Sequence, residues 1–196
     1  MNEVNKILVD VHTHHLRPDV VSPTMAGIHP WNAEYGSELP DFTHCDIIGE
    51  TGLDFACEVD KLAQERLFRA HLEAAERLQK PVVLHTVKAL ELTIKILAEY
   101  DIAGVVFHGF IGSQQQAAEA LRRGYYLSFG IRSLRSSKTR QAIVATPLDR
   151  LFVETDDDPS LNIASVYAEV AEIKGVTLAE LERNIYENYK RLFRLR

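Results

Sequence analysis

Residues 61–85 read KLAQERLFRAHLEAAERLQKPVVLH. In Lys61–Gln79 the apolar residues Leu62, Leu67, Phe68, Leu72, Ala75 and Leu78 fall at helical spacing, which predicts an amphipathic helix. Pro81–Leu84 is a short apolar run of strand length, and it ends in His85. Helix-like and strand-like segments alternate along the rest of the chain. Further strand-like runs lie at Ile7–Val11, Thr24–Ile28, Asp46–Gly49, Gly104–Phe107, Tyr125–Phe129 and Leu151–Glu154. Helices are expected over Val87–Tyr100, Ser113–Arg123, Ser136–Ala145, Asn162–Lys174 and Thr177–Leu195. The last opens with Thr177 and Glu180 in a capping-box pattern. Strands separated by helices imply parallel pairing through helical crossovers. The near-continuous apolar runs suit strands buried on both faces. The fold class is therefore α/β, either a barrel or a doubly wound sheet. No Gly-rich phosphate loop follows the first strand, which weakens the dinucleotide-binding version.

A length of 196 residues suits one domain, 1–196, with enough chain to bury a core. No segment approaches the roughly 18 apolar residues of a membrane span, and the N-terminal residues lack the apolar region of a signal peptide. Cys45 and Cys57 are isolated and do not form a disulfide framework, which fits a reducing cytoplasm. The formal net charge of −6 argues against a duplex-coating nucleic-acid binder.

The ends of the apolar runs carry the chemistry. They hold His12 and His14, His29, Glu50 and Asp54, His85, His108, and Glu154 with Asp156. In α/β barrels and sheets the C-terminal strand ends face one common site. Ordinary strand exits would show Ser, Thr, Asn and Lys as often as His. Imidazole and carboxylate together suit Zn and other divalent first-row metals. In a strand, residues i and i+2 point the same way, so His12 and His14 reach one ion while Thr13 turns aside. His12, His14, Glu50, His85, His108 and Asp156 are too many donors for one tetrahedral ion. They fit two ions about 3.5–4 Å apart, with Glu50 as the bridging carboxylate. His15 points away from His14 if the strand continues. His44 and His71 lie outside the pattern, and His71 reads as a surface or packing residue of a helix.

In order, the motifs DVHTHH, GIHPW, GETGLDF, QERLFRAHLEAAERLQKPVVLHT, VVFHGFIG, YYLSFG, PLDRLFVETD and ENYKRLF cover nearly the whole chain. With them the chain resembles the TatD-like metal-dependent hydrolases of the amidohydrolase superfamily, often called TatD deoxyribonucleases. The resemblance implies a TIM-barrel-like fold, a divalent-metal centre and hydrolysis of phosphodiester or related bonds. It assigns a first metal to His12, His14, Glu50 and Asp156, and a second to Glu50, His85 and His108. Only thirteen residues separate His14 from Ile28, where the family inserts a further strand and its helices. A reduced or distorted barrel of about seven parallel strands is therefore expected. Val87 stands where the family carries Arg, and the segment after Asp156 is short.

The expected mechanism has two divalent ions (Zn, Mn or Mg) lowering the pKa of a bound water. Asp156 takes up the water proton and returns it to the leaving group. Glu50 and Asp156 are thus the candidate catalytic residues, and Asp54 orients a histidine ligand from the second coordination sphere. IRSLRSSKTR, residues 131–140, is the one concentrated basic stretch, and Arg132 is the candidate phosphate contact, against the competing reading of a solvated helix face. Trp31 is the single tryptophan and a candidate to stack on a base or cap the site, with packing as the competing role. His29 is a near-site residue. The expected substrate is nucleic acid or a small phosphoester. The alternatives are amidohydrolase-type hydrolysis of a small amide, lactone or other ester, and a metal-binding protein without catalysis.

Overall fold

The structure, a computed structural model, describes residues 7–34 and 38–194. Among them are eight strands: β1 (Leu8–Val9), β2 (Val20–Val21), β3 (Met25–Ala26), β4 (Ile47–Asp54), β5 (Val82–Val87), β6 (Val105–Phe107), β7 (Tyr126–Phe129) and β8 (Leu151–Val153). The helices are α1 (Lys61–Leu78), α2 (Leu90–Leu97), α3 (Gln114–Leu121), α4 (Ile131–Arg135), α5 (Ser137–Ala145), α6 (Ile163–Lys174) and α7 (Leu178–Leu192). The seven strands expected from sequence are present. β2 is additional, and it falls in the short stretch between His14 and Ile28. Its two residues carry no period that a sequence reading can use. Leu195, the expected end of the last helix, lies outside the described residues. No helix among them is long and apolar enough to cross a membrane.

Two compact units arise. The first comprises the described residues up to Pro23 together with those from Gly109 onward. In it β1 pairs in parallel with β2, Leu8 opposite Val20, and β7 pairs in parallel with β8, Leu127 opposite Leu151. The amide of Val11 donates to Val153 O at 3.3 Å, which ties the segment after β1 to β8. The Tyr167 hydroxyl of α6 accepts from the Val9 amide at 3.1 Å and donates to Val9 O at 3.0 Å. Asn188 of α7 donates to Leu148 O and Leu151 O at 2.7 and 2.9 Å, holding the entry to β8. Thr177 caps α7 by accepting the Glu180 amide, as its spacing predicts.

The second unit is Thr24–His108. Its strands pair in parallel in the order β3-β4-β5-β6. α1 buries Leu67, Phe68, His71, Leu72, Ala74 and Ala75. Leu62 and Leu78, at the margins of the expected apolar face, stay exposed. Two strands run longer than expected. β4 runs on to Asp54 and β5 to Val87, because Gly52, Leu53 and Asp54 continue pairing with His85, Thr86 and Val87. Glu50, Asp54 and His85 therefore lie on strands rather than beyond them. Val87 belongs to β5, and α2 begins only after Lys88 turns the chain with φ +52°.

His71 is fully buried, not a surface residue. Its Nδ1 lies 2.8 Å from Leu67 O and its Nε2 accepts the Ile28 amide at 3.0 Å. That pattern requires a neutral ring protonated on Nδ1. Burial lowers its pKa from the ordinary 6.5. The folded protein thus disfavours the imidazolium, and this contribution to stability is present above pH 6.5 and lost as pH falls through the lower folded value. His71→Leu leaves the Ile28 amide without this partner and is expected to cost about 1–3 kcal/mol. Thermal unfolding measured across pH should give a shallower acid-side decline for the variant; an unchanged profile contradicts the assignment.

Candidate metal centre

β4 reads IIGETGLD, and its two glycines decide where Glu50 goes. Ile48 lies opposite Val82 but Thr51 lies opposite Leu84, so β4 carries one extra residue at this point. Such a bulge re-aims a side chain. Gly49 has φ +143° and Gly52 φ +134°, a region that L side chains rarely adopt. A Cβ on Gly49 would sit 2.4 Å from Val83 O, and one on Gly52 would sit 2.1 Å from His85 O. The strands approach closely only because both positions lack one.

Glu50 and His85 meet across this approach. Glu50 Oε1 lies 2.9 Å from His85 Nδ1 and 2.6 Å from His108 Nε2, and the two ring nitrogens are 3.4 Å apart. His108 follows directly on β6, its amide donating to Leu84 O at 3.2 Å. The other nitrogen of His85, Nε2, is 3.2 Å from Asp54 Oδ2. Asp54 is buried; burial raises its pKa, and hydrogen bonds from the Trp31 indole, the Ala56 amide and His85 together outweigh that, leaving it below the ordinary carboxylate value. Ionised Asp54 accepts the Nε2 proton, which directs the Nδ1 lone pair toward Glu50 and His108. A carboxylate oxygen and two imidazole nitrogens thus converge, and each can offer a lone pair to a cation. The donor set and spacing fit a divalent metal. Gln64, fully buried on α1, accepts from the Asp54 amide at 2.7 Å and donates to Asp54 O at 2.9 Å, fixing the end of β4.

His29 Nε2 stands 3.3 Å from Glu50 Oε1, and His29, Glu50 and His85 can present one ligand atom each within 4.8 Å of one another. The amide of Trp31 donates to His29 Nδ1 at 3.1 Å. A neutral ring that accepts on Nδ1 carries its proton on Nε2, so His29 is suited to donate to Glu50 rather than to ligate. The Trp31 side chain donates from Nε1 to Asp54 Oδ2 at 2.7 Å.

In the other unit His12, His14 and Asp156 form a second group with donor atoms within 4.8 Å. His12 Nε2 and His14 Nε2 lie 3.4 and 3.8 Å from the same Asp156 Oδ1. Thr13 pairs with Asp156 in a parallel bridge; the Asp156 amide donates to His12 O at 3.1 Å and the His14 amide to Asp156 O at 2.9 Å. Thr13 turns aside as its alternation requires, its hydroxyl 3.0 Å from that of Thr155. Thr155 also bonds Asp10, through its amide at 3.1 Å and its hydroxyl at 2.6 Å. Burial raises the Asp10 pKa to about 6 despite these bonds. Asp10, read from sequence only as a residue of the presenting strand, anchors the segment that carries Asp156. Asp156 itself has φ +57°, in the left-handed region. His15 and His44 are exposed. Arg132, on α4, is exposed, with its guanidinium 3.7 Å from the exposed Asp157 carboxylate. Glu154, which the strand-end pattern contains but the expected ligand set omits, is buried and accepts the Gly109 amide at 2.6 Å. Gly52→Ala is expected to cost about 3 kcal/mol or more, since the new methyl meets backbone and φ is unfavourable. Denaturant unfolding measures this, and a variant as stable as the parent refutes the close-approach argument.

Residues 9–194 match the family model described as TatD related DNase. An Escherichia coli K12 protein described as the uncharacterized metal-dependent hydrolase YcfH is 34% identical over 86% of this chain and 72% of its own. The human protein named deoxyribonuclease TATDN3 is 30% identical over 74% of this chain and 59% of its own. Among solved structures, the TatD homologue YjjV of Escherichia coli K12 superposes with a TM-score of 0.84 at 23% identity, covering 98% of this chain and 100% of that one. That likeness shows the fold, α/β and TIM-barrel-like. With nearly all of its length inside the family model, the chain belongs to the TatD-related DNase family of metal-dependent hydrolases.

Proposed function

We propose that this chain cleaves phosphodiester bonds, in nucleic acid or in a small phosphoester, with a water molecule as nucleophile and two divalent cations (Zn, Mn or Mg). The observation that carries the reading is the convergence of Glu50 Oε1, His85 Nδ1 and His108 Nε2 while Asp54 engages the other nitrogen of His85. His12, His14 and Asp156 would hold one ion, and Glu50, His85 and His108 the other. Bound there, divalent ions lower the pKa of a coordinated water toward about 7 and offset phosphoryl charge. Asp156 accepts the proton of the attacking water and delivers it to the leaving oxygen. Asp54 keeps the His85 ring oriented, and the His29 Nε2 proton steadies Glu50. Arg132 meets a substrate phosphate by exchanging its solvent-exposed partner Asp157 for it. The deoxyribonuclease name of the human relative supports phosphodiester as the bond class. Two free cysteines fit a reducing cytoplasm as the place of action. A second reading, hydrolysis of a small amide, lactone or other ester, is favoured by Val87, which offers no charge at the end of β5.

Elemental analysis of the purified protein, joined to a panel of phosphodiester, amide and lactone substrates, tests this reading. Two ions per chain and phosphodiester turnover are expected. Glu50→Ala and Asp156→Ala should abolish that turnover, and Asp54→Asn should lower metal affinity or rate by about 10- to 100-fold. Full activity in Glu50→Ala, in Asp156→Ala or after chelation overturns the mechanism.

A further inference from the structure

Trp31 is anchored twice. Its amide donates to His29 Nδ1 at 3.1 Å and its indole Nε1 donates to Asp54 Oδ2 at 2.7 Å. The same Asp54 oxygen lies 3.2 Å from His85 Nε2, so the indole edge is one carboxylate away from the imidazole that faces Glu50. Despite these anchors the residue is 59% exposed. An exposed large aromatic side chain whose one polar atom is committed to a buried carboxylate is held in place by that bond. Neither neighbouring ring lies parallel to it: His29 is 4.6 Å away at 79° and His85 is 5.9 Å away at 75°. A flat, rigid, π-rich surface is therefore presented to solvent beside Glu50 and His85. Bases stack on such platforms whatever their sequence, because every base has a π-face. Rigidity matters as well, since a side chain already ordered loses little entropy when a ligand covers it.

We infer that Trp31 is a nucleobase subsite, on which the base adjoining the scissile phosphate stacks while that phosphate lies at the Glu50–His85 side. The inference rests on the phosphodiesterase reading and gives it a substrate class, nucleotide-bearing esters over simple ones. It also gives a use to the Nε1–Asp54 bond, which aims the platform.

Trp31 is the only tryptophan in the chain, so its fluorescence reports on this position alone. The probe is a phosphorothioate-linked thymidine dinucleotide, which resists turnover, set against an abasic analogue of the same backbone. The dinucleotide is expected to quench the emission saturably, and the abasic analogue to bind about 5- to 150-fold more weakly. Calorimetry on Trp31→Ala should show the parent's preference for the dinucleotide over the abasic analogue reduced to near parity. Trp31→Phe, which keeps a ring but not the N–H that aims it, should recover part of that preference, and circular dichroism confirms that each variant is folded. Equal affinity of the parent for the two probes, no dinucleotide binding, or unaltered dinucleotide binding in folded Trp31→Ala overturns the inference. Base-dependent binding without cleavage of any phosphodiester leaves the subsite standing and removes the hydrolase reading. Cleavage with no difference between the probes does the reverse.

Discussion

The approach of β4 to β5 at Gly49 and Gly52 is the constraint on which the candidate metal centre of the Thr24–His108 unit depends. Each position brings its own backbone so near the neighbouring carbonyl that a Cβ would collide with it. The extra residue between Ile48 and Thr51 is the structural consequence, and Glu50 sits in it. Glu50 Oε1 thereby meets two imidazole nitrogens, one on β5 and one just past β6, at 2.9 and 2.6 Å. A carboxylate and two imidazoles drawn together from separate segments form a donor set suited to a divalent cation, which residue types alone do not establish.

Around that contact the chain supplies an outer layer of fixed donors. Gln64 secures the backbone of Asp54, Asp54 accepts from His85, and Trp31 donates to Asp54. His29 owes its orientation to a backbone amide two residues on, and its loop is held at Ile28 by buried His71. The other unit solves the same problem differently. Asp156 is placed by a parallel bridge to Thr13 and by the Asp10–Thr155 hydrogen bonds, so a buried carboxyl group positions a half-exposed one.

Much of this was legible in the chain itself. A period of 3.6 in Lys61–Leu78 and apolar runs of strand length located nearly every long element, because burial on one helix face or on both sheet faces leaves a pattern in sequence. β2 and α4, of two and five residues, are too short to leave one. Strand ends were misjudged where polar residues replace apolar ones: His85 and Asp54 look like exits from the core, yet pairing continues to Val87 because backbone hydrogen bonds do not depend on side-chain polarity. His71 reads in sequence as a surface or packing residue and is fully buried, since a ring with both nitrogens satisfied is tolerated inside.

Residue type and spacing determined by themselves that this is an α/β chain with imidazole and carboxylate groups at its strand ends, and that His12 and His14 share a direction. Tertiary structure decided what each group faces. His85 offers Nδ1 to Glu50 because Asp54 engages Nε2, and His29, a near-site residue in the sequence, is set as a donor by a single amide. Trp31 is neither packed away nor loose, because its indole proton finds a buried carboxylate twenty-three residues on. Tautomer, orientation and exposure are set by partners far apart in the chain, and one-dimensional order carries no record of those distances.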